Sequence, residues 1–245
     1  MQFLLVRENG PEKFLEWEHD FEHVESWLES LQPPKWRWKI DEKLASKGET
    51  VFREHCGNCH GSYGDRDEYP EAVIPIDEIG TDRVRFDALT DVERKALNES
   101  WFGHFGRDAA SIGPRQKPEG YVAPPLDGVW ASAPYFHNGS VPTLWHVLHP
   151  KNRPTIWSRS PAGYDTNKVG LEIREFSPAA FAEVVGDGMS SARRRQFFDT
   201  TIRGKSAGGH LYPEVLSRFE KTAVLEYLKT PVSYTHLTLP TKVTG

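Results

Sequence analysis

The sequence predicts an all-α fold that is mainly helical, rich in loops and built around one buried prosthetic group. Three observations carry this prediction. Apolar residues recur at helical spacing in several segments bounded by proline. The 245 residues include 20 Gly and 18 Pro, and only 38% are hydrophobic, which is typical of a loop-rich chain. A short cysteine motif at residues 56–60 marks the point where a large apolar group would be attached.

The helices are expected in chain order at four places. They cover residues 11–31, 41–55, 91–101 and 218–229, and a short strand at residues 3–6 precedes them. Pro11 opens the first helix, and Asp41 is the predicted N-cap of the second. Capping boxes begin the other two, formed by Thr90 with Glu93 and by Ser217 with Glu220. The proline-rich residues from 113 to about 165 are expected to be mostly loop.

Gly48 lies in the middle of the second predicted helix, where glycine costs about 1 kcal/mol relative to alanine. Such a cost is explained if another backbone crosses closely at that position. The apolar face of the last helix, with Phe219, Val224 and Tyr227, is the expected partner. The sequence therefore predicts that the second and the last helix cross at Gly48.

The residues Cys56-Gly57-Asn58-Cys59-His60 form the pattern Cys-x-x-Cys-His, which attaches c-type haem. In that chemistry the two thiols bond the haem covalently and the histidine binds the iron. A thioredoxin-like redox pair is the first alternative, but no βαβ pattern surrounds this motif. A zinc site that includes His55 or His60 is the second, although Cys56 and Cys59 are the only cysteines. Haem c is the preferred interpretation, and the all-α fold is then a cytochrome c fold around one covalent haem.

The sixth iron ligand has few candidates. His210 follows a glycine-rich loop, in which Gly204, Gly208 and Gly209 would let the backbone approach the ring. Met189, the only internal methionine, is the alternative. His137 is expected instead to be a buried histidine, hydrogen-bonded to backbone or to a haem propionate. Four other histidines are expected to be solvated at the surface, namely His19, His23, His146 and His149.

Three segments beyond the cysteine motif carry a family resemblance. They are residues 33–56, residues 121–144 with Ala-Pro-Tyr-Phe-His-Asn-Gly-Ser at 133–140, and Arg-Gly-Lys-Ser-Ala-Gly-Gly-His at 203–210 followed by residues 216–228. Together they resemble the C-terminal haem domain of rubber-oxygenase-like cytochromes, relatives of the bacterial di-haem cytochrome c peroxidases. The resemblance implies an iron with two histidine ligands, His60 and His210, that handles electrons. It also allows Ca²⁺ near the Ser132–Pro134 backbone.

The chain departs from that family in carrying one Cys-x-x-Cys-His motif where those proteins carry two. The domain prediction follows from this difference. Residues 1–40 are expected to be a helical extension left from a longer parent chain, and residues 41–231 the cytochrome c domain. Residues 232–245 resemble a translated sequencing adaptor and are expected to be a non-native tail.

Composition excludes some classes of function. The net charge of −5 does not predict nucleic-acid binding, and no segment is long and apolar enough to span a membrane. A secretory signal is absent at residues 1–8. Haem c is nevertheless attached outside the bacterial cytoplasm, so a periplasmic or secreted location is expected.

The motifs favour an electron-transfer domain whose partner is a redox protein or a second haem domain. One alternative is a haem enzyme of the peroxidase or oxygenase type. The other is the electron-transfer half of such an enzyme.

Overall fold

A computed structural model describes residues 10–63, 68–99, 117–186 and 188–230 of the chain. Its α-helices are α1 Pro11–Glu16, α2 Glu18–Ser30, α3 Glu42–His55, α4 Gly57–His60, α5 Ile76–Ile79, α6 Val84–Asp87, α7 Asp91–Glu99, α8 Leu144–Leu148, α9 Pro178–Val185, α10 Ser191–Arg194 and α11 Arg218–Tyr227. Its strands are β1 Val73–Pro75, β2 Gly120–Val122, β3 Ile156–Asp165, β4 Gly170–Phe176 and β5 Phe197–Asp199. Short 3₁₀ helices occupy Val129–Ala131, Pro150–Asn152 and Tyr212–Val215.

The prediction of an all-α fold is wrong, because the described residues contain two antiparallel sheets. β1 pairs with β2, and β3 lies between β4 and β5 in a three-stranded sheet. The fold therefore combines helices with strands. Pro161 and Gly163 obscured the long strand β3 in the sequence, and the pairing of β3 with β4 shifts its register between Arg159 and Tyr164. Such an irregularity accommodates residues that a regular ladder disfavours.

The chain divides into two compact units. The first comprises Met1–Gln32, Ala88–Pro118 and His236–Gly245, and its described helices are α1, α2 and α7. The helix predicted over residues 11–31 is present as α1 and α2, which meet at Trp17. The capping box predicted at Thr90 and Glu93 is confirmed by its reciprocal hydrogen bonds.

The second unit comprises Pro33–Asp87 and Glu119–Thr235 and contains all residues of the candidate site. The predicted domain boundaries at residues 40 and 231 stay predictions. The strand predicted at residues 3–6 and the tail at 232–245 lie outside the described residues. No helix in the described part of the chain is long and apolar enough to cross a membrane.

α3 and α11 cross at Gly48, as the sequence predicts. A Cβ atom at Gly48 would lie 2.0 Å from the carbonyl oxygen of Ala223 and 2.9 Å from Cβ of Tyr227. The two backbones therefore touch, and the rings of Phe52 and Tyr227 pack beside the contact with centroids 5.4 Å apart. The Asp41 side chain caps α3 by accepting from the amide of Leu44. This crossing holds the end of α3, and with it the cysteine motif, against the core.

Gly48→Ala is expected to lower the free energy of unfolding by about 3 kcal/mol, because the added methyl group would force the two helix backbones apart. This loss would appear although alanine is the better helix former. Urea unfolding measures it. Ser46→Ala, at an exposed position of the same helix, is the control and should change stability by less than about 0.5 kcal/mol. Equal stability of the two variants would contradict the close crossing.

Candidate functional site

The cysteine motif forms one tight turn at the end of α3. Cys56 is both the C-cap of α3 and the N-cap of α4. The amides of Cys59 and His60 donate to the Cys56 carbonyl oxygen at 3.1 and 3.0 Å. Gly61, with φ of 84°, then turns the chain away from the helix. A single helical turn therefore carries both thiols and the imidazole of the motif.

The two thiols are chemically unlike a thioredoxin-like pair. Burial, with a smaller contribution from Cys59, raises the pKa of Cys56 to about 11. Burial and the charge of Glu78 also raise the pKa of Cys59. Catalytic redox cysteines need a lowered pKa, because the thiolate is their reactive form. The environment of these cysteines therefore disfavours thiol–disulfide exchange.

His60 is oriented by a hydrogen bond from its Nδ1 to the carbonyl oxygen of Pro124, at 2.9 Å. The Pro124 oxygen can only accept, so Nδ1 carries the proton and Nε2 carries the lone pair that a metal needs. Burial lowers the pKa of His60, and the bond to Pro124 opposes this shift. The imidazole is therefore neutral at pH 7, which is the state that binds a metal.

His210 lies in the loop before α11 in a strained backbone conformation. Its φ is 49°, a left-handed value that costs a non-glycine residue about 1 kcal/mol. Its amide donates to the Ile79 carbonyl at 2.7 Å, which holds the loop in place. Burial, with smaller contributions from His60 and Arg153, lowers the pKa of His210 to about 4. Its Nδ1 is buried and has no hydrogen-bond partner within the described residues.

The fold brings His60 and His210 together although they lie far apart in the sequence. Their ring centroids are 6.2 Å apart, with an angle of 62° between the planes. Two imidazoles that share a metal at about 2 Å per metal–nitrogen bond have centroids about 6 Å apart. Two buried neutral imidazoles, one with an unpartnered nitrogen, also suit the ligand chemistry of iron. The residues present therefore fit a haem iron held by two histidines.

Gly209 of the His210 loop makes a contact that the sequence did not predict. A Cβ atom at Gly209 would lie 2.3 Å from the backbone carbon of Gly80 and 2.4 Å from the amide nitrogen of Thr81. Gly209 therefore permits two loops of the protein to touch. The approach of this loop to a haem ring stays a prediction. The contact brings the His210 loop against the segment that follows α5.

Arg153 anchors the His210 loop and was not identified from the sequence. Its guanidinium donates to five backbone carbonyls, those of His146, Val147, Ala207, Gly209 and His210, at 2.7 to 3.3 Å. It also lies 4.8 Å from the ring centre of Phe136. Burial lowers the pKa of Arg153 to about 10, so it stays charged at pH 7. Nothing in the local sequence Pro-Lys-Asn-Arg-Pro distinguishes this arginine from a surface residue.

The loop at residues 133–140 packs against the His210 loop, which Arg153 also contacts. The side-chain amide of Asn138 donates to the carbonyls of Gly204 and Ser206, at 3.3 and 2.9 Å. The Phe136 ring lies 6.0 Å from that of His210. The motif that carries the family resemblance therefore supports the wall of the site around His210.

The His137 side chain contacts the protein through ring stacking and not through a hydrogen bond to the described backbone. The ring stacks on Tyr121, and its Nε2 is buried without a hydrogen-bond partner in the described parts of the chain. Burial, the largest cause, lowers the pKa of His137. Its predicted bond to a backbone group is not present among the described residues, so a cofactor group remains as its predicted partner.

Met189 and His146 have different surroundings from those of the paired rings. Met189 is half-buried between α9 and α10, and it is the His210 ring that faces His60.

The prediction that His146 is solvated is wrong, because the residue is 1% exposed. Its Nδ1 and the hydroxyl of Thr143 share a hydrogen bond at 2.7 Å, and burial lowers the pKa of His146 to about 4. His146 thus stabilises the start of α8.

Within the described residues, no group of three or more His, Cys, Asp and Glu side chains is arranged to hold a metal ion. A structural zinc site needs about four such ligands. The zinc interpretation of the cysteine motif therefore finds no supporting ligand set in this part of the chain.

One segment of the site is similar to a known class of domain. Residues 120–158 match the family model described as "RoxA-like, cytochrome c-like", which confirms the resemblance seen in the sequence. The match covers the strand before Pro124, the 133–140 loop and Arg153. It supports a haem-related domain.

Two curated relatives are similar over most of the chain. The uncharacterized protein y4iM of Sinorhizobium fredii (strain NBRC 101917 / NGR234) is 34% identical over an alignment of 208 positions, which covers 76% of this chain and 45% of the relative. The uncharacterized protein y4iJ of the same strain is 28% identical over an alignment of 260 positions, which covers 84% of this chain and 42% of that protein. The chain thus spans less than half the length of these relatives.

Proposed function

We propose that this chain is an electron-transfer domain that binds one covalent haem c. Cys56 and Cys59 would attach the ring, and His60 and His210 would be the two ligands of its iron. When bound, the haem supplies a one-electron Fe(III)/Fe(II) couple. The observation that carries the proposal is the pairing of the His60 and His210 rings at 6.2 Å next to the two thiols.

The protein's own residues account for binding and orientation. The Pro124 carbonyl fixes the tautomer of His60, and Arg153 with the Ile79 carbonyl fixes the backbone of His210. Two ligands fixed in advance need little rearrangement when the charge of the iron changes. A small rearrangement favours rapid electron exchange. Two neutral imidazole ligands also give the iron a lower reduction potential than a histidine–methionine pair does.

The proposal also covers the redox partner of the protein and its cellular location. Haem c attachment implies a periplasmic or secreted protein, and an electron carrier needs a redox partner or a second haem domain. The length of the curated relatives is compatible with the latter, since they have more than half their length outside the aligned region. The peroxidase or oxygenase alternative requires an iron position that peroxide or oxygen can reach, and a firmly held His210 would block it.

Co-expression with a periplasmic haem-maturation system tests the attachment. The wild-type protein should carry one haem per chain that survives denaturation and acid–acetone extraction. Replacing both Cys56 and Cys59 with alanine should abolish covalent haem, because thioether bonds could no longer form. Haem staining of a denaturing gel and the pyridine haemochrome spectrum measure both results.

His55→Ala is the matched control, since His55 adjoins the motif but has no role in the proposed attachment. It should retain the haem content of the wild type. Haem that extracts freely from the wild-type protein, or stoichiometric zinc in its place, would overturn the proposal.

A further inference from the structure

Tyr121 and His137 form a stacked pair whose polar atoms lack partners. Their ring centroids are 5.1 Å apart with an interplanar angle of 25°. The Tyr121 hydroxyl oxygen and the His137 Nε2 are both buried, and neither has a hydrogen-bond partner among the residues that the structure describes. Each buried polar atom that lacks a hydrogen-bond partner lowers the stability of the fold by about 1–3 kcal/mol. Two unsatisfied groups on one stacked pair indicate a ligand that would bind both.

The pair is built into the walls of the haem site. Tyr121 belongs to β2, where it pairs with Ile74 of β1, and it precedes by three positions the Pro124 carbonyl that binds His60. His137 follows Phe136, whose ring lies 6.0 Å from that of His210. The two orphaned atoms are therefore held by segments that contact both proposed iron ligands.

The chemistry of the pair selects an acceptor with two oxygens. A phenol and a neutral imidazole each offer one donor hydrogen, in the imidazole when Nε2 carries the proton. Arg85 adds positive charge, since its guanidinium donates to the His137 carbonyl at 3.4 Å. Asp82 and Asp87 are the nearby negative groups. Both oxygens of Asp82 already accept, from the amides of Val84 and Ser206, and Asp87 accepts from Arg83. Two donors on one stacked pair near a guanidinium match a carboxylate.

We propose that Tyr121 and His137 together bind a carboxylate, and that this carboxylate is a propionate of the haem. The inference rests on the proposed function, because the propionates are the anionic groups that a haem brings into the site. The pair would then fix the rotation of the ring and complete its own hydrogen bonds. It would also keep the propionate ionised, because both donors bind the charged form more strongly than the protonated form.

Replacement of the donors in the haem-loaded protein tests this inference. Tyr121→Phe and His137→Phe each keep a ring in the stack and remove one donor. A charge-assisted hydrogen bond of about 1.5–3 kcal/mol corresponds to a roughly tenfold to hundredfold increase in the proton affinity of the propionate. The midpoint of the pH dependence of the reduction potential should therefore rise by about one to two pH units. The propionate-bending band in the resonance Raman spectrum should shift in the same variants.

Two controls separate the donors from general disturbance. His137→Gln retains an N–H donor, so its midpoint should differ less from that of the wild type than the midpoint of His137→Phe does. Tyr69→Phe removes a hydroxyl that already bonds the protein, at 2.6 Å from the Ala123 carbonyl oxygen, and should leave midpoint and band unchanged. A shift in His137→Gln as large as that in His137→Phe would contradict the inference.

The remaining outcomes are also decisive. Covalent haem with the same midpoint and Raman band in all variants would overturn this inference and leave the proposed function standing. A wild-type chain that does not bind haem would overturn the proposed function, and the propionate assignment with it. Saturable binding of acetate to the haem-loaded wild type that is lost in Tyr121→Phe would show that the pair binds a free carboxylate and not a propionate.

Discussion

Replacing His210 with alanine is expected to convert a low-spin ferric iron with two histidine ligands into a high-spin iron with an open position. The ring that lies 6.2 Å from His60 would be gone, while the attachment through Cys56 and Cys59 would remain. The reduced variant should bind CO, which the wild type should not, and it should react with peroxide more rapidly. The absorption and electron paramagnetic resonance spectra measure the change of spin state. The conversion should be complete, because an alanine side chain offers no ligand.

Met189→Ala is the matched control for His210→Ala, since methionine was the alternative ligand. It should leave the spectra and the reduction potential unchanged. The reverse pattern would assign the sixth position to methionine, with a near-infrared sulfur-to-iron band that Met189→Ala abolishes and His210→Ala does not affect. A wild-type iron that is already high-spin and binds CO would instead favour the enzyme alternative. His137 would then be the first residue to test as an acid–base group.

Arg153→Met should lower the free energy of unfolding of the haem-loaded protein by about 4 kcal/mol and release His210 from the iron in part of the molecules. Methionine fills much of the same volume but donates no hydrogen bond. Five carbonyl oxygens would lose a charged donor, among them those of Gly209 and His210. The strained backbone of His210 would then be free to relax. Urea unfolding and the high-spin fraction of the ferric spectrum measure the two effects.

Two further variants separate the charge of Arg153 from its geometry. Arg153→Lys keeps the positive charge but cannot reach all five acceptors, so it should restore only part of the low-spin population. Arg159→Met, at an exposed position of β3, should change stability by less than about 0.5 kcal/mol. If Arg153→Met retained wild-type stability and a fully low-spin spectrum, Arg153 would have no positioning role.

Local signals explain which parts of the fold were predictable. The N-cap Asp41 and the capping boxes at Thr90 and at Ser217 act through neighbours three positions away, and all three are confirmed. The role of Gly48 was predictable because glycine in a helix carries a cost that only a close contact explains. The strands were missed, since β3 is interrupted by Pro161 and Gly163 and its pairing with β4 and β5 is decided by distant segments.

The same distinction applies to the candidate site. The Cys56–His60 motif has a fixed spacing because its chemistry takes place within one helical turn, so the sequence alone predicts it. The choice of His210 over Met189 from the sequence depended on glycines and on the family resemblance, and the structure gives Gly209 a contact with Gly80 that no spacing reveals. Arg153 could not be predicted, because five backbone carbonyls from two segments create its environment and a backbone carbonyl leaves no mark in the sequence.

The sequence by itself determined the chemistry that this protein can offer, which is two thiols and a histidine in one turn, and the helix ends that support them. Those features depend on residues within about four positions of one another. The tertiary structure brings together the rings of His60 and His210, which the resemblance implied as a pair. Only the tertiary structure decided the stacking of Tyr121 on His137 and the mixture of sheets with helices. The physical reason is that burial and hydrogen bonding between distant segments select one arrangement among many that the local sequence allows.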